Sequence, residues 1–328
     1  MISLFFHIVQ TSILPILLLI LGGYIMDRKF GLDLRTLSKL NFYILLPCFI
    51  FKALYEANFD ESSWQITLAA AIVILLGNIT AQLLGKLAGF EQNKIEIVKN
   101  AMMFNNGGNI GLAIITFIYS NDPFLVNGKP VYLELAITAV VSTVVIQNLS
   151  CNTLGFYQAG RGRLTATDAL SLVAHMPTIY IVPSALILRQ IDSINLTLTP
   201  IWPVFQFFGQ AFVGVALITL GVQICRTPLN FFQWDVLLAT SGRLVFGPFL
   251  AIIAIETLGA LFGTFKPIAS EVLIIVYSVP TAINTALMAY EMKNNPEYAT
   301  KIVMSTTVLS AFTMPLFILL AYYLYPLN

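Results

Sequence analysis

Asn105-Asn106-Gly107-Gly108-Asn109-Ile110-Gly111 interrupts one apolar segment, residues 95–119, and Val279-Pro280-Thr281-Ala282-Ile283-Asn284 interrupts another, residues 267–290. Glycine and asparagine disfavour a helix interior, and proline removes an N–H while its ring crowds the preceding turn. In a bilayer, N–H and C=O groups freed from a helix must find partners, so such breaks persist only where they are packed in protein or line a polar cavity. The two breaks stand at matching positions in the two halves of the chain. A matched pair of interrupted helices is the sequence pointer to the binding site of a secondary transporter.

The composition sets the same frame. Of 328 residues, 58% are hydrophobic and only 10% charged, and the mean hydropathy is +0.83. Those values lie far from a soluble domain and predict an all-α integral membrane protein. The net charge of +1, with no basic cluster in a loop, gives no sign of a nucleic-acid partner; the lipid bilayer is the partner the composition requires. Cys48, Cys151 and Cys225 lie far apart without CxxC or Cys/His spacing and read as small packing residues. No metal site and no cofactor are expected. Residues 1–7 lack the basic start of a signal peptide, and the apolar run to residue 26 is long enough to span.

A membrane-crossing helix needs about 20 apolar residues. That rule predicts ten spans: 4–26, 36–56, 63–86, 95–120, 131–157, 169–190, 201–224, 235–258, 267–291 and 299–325. In the sixth, His175-Met176-Pro177 can mark the true helix start, with residues 165–174 as an amphipathic lead-in. The polar stretch 158–167 separates two halves, 1–160 and 161–328, of five spans each. With the N-terminus outside, the inner loops and span ends carry Arg28, Lys29, Arg35, Lys39, Lys86, Lys94, Lys99, Arg161, Arg163, Arg226, Lys293 and Lys301, against Lys52, Lys129, Arg189 and Lys266 on the outer side. By the positive-inside rule this places both termini outside in a multi-pass protein of the cell membrane. Five spans per half make the second half enter from the opposite face, an inverted repeat in which broken helices 4 and 9 cross near the midplane.

Several stretches carry a family resemblance. Val279-Pro280-Thr281-Ala282-Ile283-Asn284, continuing through Ala289-Tyr290-Glu291 to Asn295-Pro296-Glu297 and Pro315, resembles the ninth and tenth helices of the auxin efflux carrier family. Asn106-Gly107-Gly108-Asn109-Ile110-Gly111-Leu112 is similar to its fourth-helix crossover, Leu40 to Asn58 with Pro47 and Phe51 to its second helix, and Arg243-Leu244-Val245-Phe246-Gly247-Pro248 to its eighth. Ala113 departs from the pattern, standing where the family often has proline. The short loop between the halves resembles the compact prokaryotic members. The resemblance implies a carrier of small organic anions, commonly carboxylates, with a scaffold from helices 1, 2, 6 and 7 and a moving transport unit from helices 3–5 and 8–10. The scaffold helices are then the expected surface for a homodimer.

The residues at the breaks suggest the chemistry without the resemblance. A helix that restarts presents free N–H groups whose partial positive charge favours an anion, and Gly107 and Gly108 admit a ligand to the backbone. Asn105, Asn106, Asn109 and Asn284 add neutral amides that donate to a carboxylate or accept from a cation; Pro280 and Thr281 shape the second break. The alternative is that these amides only satisfy broken backbone. Arg243 is a cation well inside a span and needs a partner. It either attracts an anionic substrate or acts as a structural clamp on helix C-terminal carbonyls or on an inner-facing carboxylate. Gln206 and Gln210, four apart on one helix face, line a cavity or bond across helices, as do Asn78 and Gln82. Gln147-Asn148 and Thr306-Thr307 read as interhelical hydrogen bonds; Glu134, Glu256 and Glu271, near outer helix ends, read as solvated carboxylates, with a proton-coupling group as the alternative.

Other classes fit less well. An enzyme in the membrane calls for acidic metal-binding motifs or a Ser/His/Asp set, which the sequence does not offer. A cation or proton antiporter on crossed broken helices calls for carboxylates beside the crossing, where this chain has amides. A non-transporting membrane sensor is the third alternative. The coupling ion, H⁺ or Na⁺, is not indicated.

Overall fold

The computed structural model describes residues 14–56, 63–160, 177–191, 195–226 and 233–327. Among these the secondary structure is helical, with two isolated bridges and no strand. In chain order the helices are α1 (Leu14–Phe30), α2 (Leu34–Glu56), α3 (Ser63–Leu87), α4 (Gln92–Met103), α5 (Leu112–Tyr119) and α6 (Leu133–Gly160). There follow α7 (Pro177–Leu188), α8 (Trp202–Cys225), α9 (Trp234–Phe262), α10 (Pro267–Ser278), α11 (Asn284–Glu291) and α12 (Pro296–Leu324).

Six helices among the described residues are long and apolar enough to cross a membrane: α2, α3, α6, α9, α12 and the Trp202–Thr219 stretch of α8. Ten spans were expected, and the difference has two sources. Expected spans 95–120 and 267–291 are each split into half-helices of 12 and 8 residues, too short to count alone. Expected spans 4–26 and 169–190 run into residues 1–13 and 161–176, which lie outside the described residues and leave α1 with 17 residues and α7 with 12. His7, His175, Arg161 and Arg163 lie outside them too. The described residues thus show six of the ten expected crossings as whole helices.

Among the described residues four helical stretches widen into π-turns: Asn41–Leu45 within α2, Gly107–Gly111 ahead of α5, Cys151–Gly155 within α6 and Gly242–Phe246 within α9. Such bulges tend to mark functional positions. Two of them carry residues singled out above, Gly107 to Asn109 and Arg243.

The described residues divide into two compact units, one of 14–56, 108–141, 177–191 and 195–226, the other of 63–107, 142–160 and 233–327. In the first unit α1 lies on α8 with backbone against backbone. A Cβ on Gly23 would collide with the backbone of Ile218, and one on Gly221 with that of Ile20 and Tyr24. Small residues permit such approach in membranes, where lipid supplies no hydrophobic drive between helices. Arg226, just past α8, grips the Asp27 carboxylate of α1 with Nε at 3.0 Å and Nη2 at 2.7 Å. Between α2 and α8, the rings of Phe51 and Phe205 stack at 4.5 Å and the Asn41 amide donates to Thr219 Oγ1 at 2.9 Å.

In the second unit α3, α4, α9, α10, α11 and α12 pack together. Its core is rich in alanine, with Ala81, Ala101, Ala239, Ala289 and Ala299 beside Ile97 and Ile302. Lys94 of α4 sits between the rings of Phe90 and Tyr298, 4.6 Å from each centroid, and pairs with Asp235 of α9 at 2.5 Å. Residues 268–278 of α10 are all buried. Glu271 is consequently 1% exposed, which corrects its reading as a solvated end-of-helix carboxylate; α10 is central to its unit, so its outer turn is covered by neighbours.

Candidate functional site

Both breaks adopt the same plan. After α4, Phe104 turns extended (φ −111°, ψ 111°), and the chain re-enters a helix through the Gly107–Gly111 turn. After α10, Val279 turns extended (φ −72°, ψ 159°), as a residue before proline is pushed to do, and α11 opens at Asn284. The two extended stretches then pair antiparallel, Asn105 opposite Thr281. Asn106 N–H donates to Pro280 O at 2.8 Å and Ala282 N–H donates to Phe104 O at 2.9 Å. Each break supplies the backbone partners that the other lost.

The C-terminal ends of α4 and α10 are satisfied by side chains. Arg243 is fully buried. Its Nε donates to Val279 O at 3.2 Å, its Nη1 to Met102 O at 2.9 Å and its Nη2 to Tyr277 O at 2.9 Å. One cation thus faces the negative, C-terminal ends of both α4 and α10, the arrangement that the helix dipole favours. Thr281 Oγ1 donates to Ala101 O at 3.0 Å, and Thr281 N–H donates to Thr306 Oγ1 at 3.2 Å. The tyrosine hydroxyl of Tyr277 reaches Ala70 O of α3 at 3.1 Å. Gly247 allows α9 this close: a Cβ there would stand 2.8 Å from Tyr277 O.

Against this well-satisfied background a few polar atoms stand out. The Asn105 side chain is 2% exposed, and neither its Oδ1 nor its Nδ2 has a hydrogen-bond partner. Gln147 of α6 donates to the Asn105 carbonyl, while its own Oε1 is buried and unpartnered. Asn100 Nδ2 donates to Gly155 O at 2.9 Å, leaving its Oδ1 in the same state. Buried amides without partners are uncommon and call for a ligand, ion or water. A Cβ at Gly107 would lie 2.6 Å from Asn105 Oδ1, so glycine there keeps room for the amide.

Asn105, Asn106, Gly107, Pro280, Thr281 and Arg243 therefore belong to one junction. Asn284 is half-buried at the head of α11. Gly108 and Asn109 continue the π-turn, and the Asn109 side chain lies outside the described residues. Gln206 and Gln210 line a cavity built entirely from the first unit. Sequence reasoning undervalued Gln147 and Thr306, whose contacts hold the break backbone, and missed Asn100. Their only signal was a polar side chain within an apolar run.

Apolar helices sufficient for several crossings, beside two broken apolar segments that meet at one hydrogen-bonded junction, are the frame of a multi-pass membrane transport protein. The comparison with known families agrees: the family described as membrane transport protein, which is auxin efflux carrier-like, matches residues 8–159 and 185–318. The chain belongs to that family, a family of membrane transporters and not of enzymes. It is also similar to a protein described as an uncharacterized transporter from Methanothermobacter thermautotrophicus, with 21% identity over 313 residues, 93% of this chain and 96% of the relative.

Proposed function

We propose that the chain is a secondary transporter of small organic anions bearing a carboxylate, working by alternating access with its substrate at the junction of the two breaks. The observation that carries the reading is Asn105: a buried amide with both atoms unpartnered, set where two half-helices end and two others begin. The ends of α4 and α10 are already held by Arg243 and Thr281, so the restarting end at Asn284 and the neutral amides offer the donors for a carboxylate. Neutral donors suit a carrier, which must release what it binds. In this reading the chain is a ten-span inverted repeat in the cell membrane with both termini outside, and helices 4 and 9 cross at the site. The expected scaffold helices α1, α2, α7 and α8 share one compact unit with residues 108–141, which include α5.

The test is binding and flux of a panel of small carboxylates with purified protein, in detergent and in proteoliposomes. Asn105→Ala and Asn284→Ala should each weaken binding by about 1–3 kcal/mol, the cost of losing a charge-assisted hydrogen bond. Because both contact one ligand, the double variant should lose less than the sum. Asn105→Ala should leave the ligand-free protein as stable as the parent or more so, since it removes an unsatisfied buried group. Parental affinity in both variants sinks the site, and proteoliposomes that move no carboxylate sink the activity.

A further inference from the structure

The polar atoms left over around Asn105 are unequal in kind. Its amide offers one donor, Nδ2, and one acceptor, Oδ1, and neither is bonded. Gln147 spends its Nε2 on the Asn105 carbonyl, which fixes the sense of its amide and leaves Oε1 as a second buried acceptor. One face of α6 flanks Asn105: a Cβ at Gly107 would meet both Asn105 Oδ1, at 2.6 Å, and Val144 Cγ2, at 3.5 Å, and Val144 lies one turn before Gln147. All four residues belong to the same compact unit. Asn100 is held about two turns further along α6, at Gly155 O, and so serves a different position.

Two acceptors and one donor make a demand that a bare carboxylate does not meet. A carboxylate accepts and cannot donate, so it takes Nδ2 and turns lone pairs toward Oδ1 and Oε1. Leaving those buried acceptors unpaired forfeits as much as the bond to Nδ2 gains. The ligand must bring donors of its own. An ammonium would supply them as a full charge set among neutral oxygens, which is costly in a buried place. It would also lie near a second cation, since Arg243 holds Val279 O, two residues before the Thr281 that faces Asn105. Hydroxyls donate without charge.

We propose that the junction takes a hydroxylated carboxylate, an acid of the sugar-acid type with hydroxyls on the carbons next to its carboxylate. The carboxylate accepts from Asn105 Nδ2, and the hydroxyls donate to Asn105 Oδ1 and Gln147 Oε1. This rests on the reading of the junction as a carboxylate site and narrows it.

Calorimetric titration of the full chain in detergent tests it with three-carbon acids that differ only in hydroxyls: propanoate with none, lactate with one and glycerate with two. Each hydroxyl should tighten binding about fivefold, the worth of one ordinary hydrogen bond, so glycerate should bind about 25-fold more tightly than propanoate. L-Alanine, with an ammonium in place of the lactate hydroxyl, should bind more weakly than lactate. Gln147→Met removes one acceptor and Asn105→Ala the other, and in each the glycerate-to-propanoate ratio should fall to about fivefold. The ratio is taken within one protein, so a variant that merely loosens the fold weakens both acids and leaves it unchanged. Failure of every acid to bind overturns the carboxylate reading and this one together. Three acids that bind alike, as they would if water satisfied the two oxygens, overturn this one alone. So does L-alanine binding more tightly than lactate, or a ratio unchanged in Gln147→Met.

Discussion

Arg243 holds carbonyls that lie 34, 36 and 141 residues away in sequence. Replacement by lysine keeps the charge but not the planar fork that reaches three acceptors in different directions. Arg243→Lys and Arg243→Gln should therefore both lower the unfolding temperature of the ligand-free protein, because each orphaned buried carbonyl costs about 1–3 kcal/mol. A lysine variant as stable as the parent, with only the glutamine variant impaired in anion binding, would instead assign the cation to substrate attraction. The sequence made it plain that a cation so deep in a span needs a partner. It did not show which kind, because the partners are backbone oxygens, which every residue carries and no residue name discloses. Asn105 was legible in the opposite way: its place in a break marked it, while the lack of any partner for its amide is visible only once the neighbours are in position.

At the level of helices, the α1–α8 contact makes a sharper forecast than any side-chain pair. Gly23 and Gly221 each meet the facing backbone, whereas a Cβ at Gly22 has nothing within 4 Å. Gly23→Ala and Gly221→Ala should destabilise the protein by more than about 1 kcal/mol through a clash that the backbone must move to relieve, and Gly22→Ala should be neutral or gain up to about 1 kcal/mol from helix propensity. Thermal unfolding of the three variants in one detergent decides it. Breaks made of glycine, asparagine and proline were readable from residue types. The π-turns were not, since Asn41–Leu45 and Cys151–Gly155 have no composition that sets them apart from ordinary helix, and the tertiary contacts that hold a bulge open are remote in sequence.

For the molecule as a whole, hydropathy was enough to name the class, and lysine and arginine placement supplies an orientation that labelling can check. Single cysteines at Lys129 and Lys266 should react with an impermeant thiol reagent applied to intact cells, and cysteines at Lys86 and Lys293 should react only after permeabilisation. The reverse pattern overturns the orientation. What hydropathy did not reveal is how the chain sorts into compact units: residues 108–141 group with α1, α2, α7 and α8, a matter of which apolar faces meet, and apolar faces look alike in sequence. The paired breaks carry one more consequence. Asn106 and Ala282 lie outside any helix, yet their amides are bonded to Pro280 O and Phe104 O in a shared bridge. Neither hydrogen bond can open for exchange without loosening the other, so the two amides should take up deuterium slowly and at one common rate. Mass spectrometry of the two peptides would then show a pair of non-helical segments, far apart along the chain, keeping the same time.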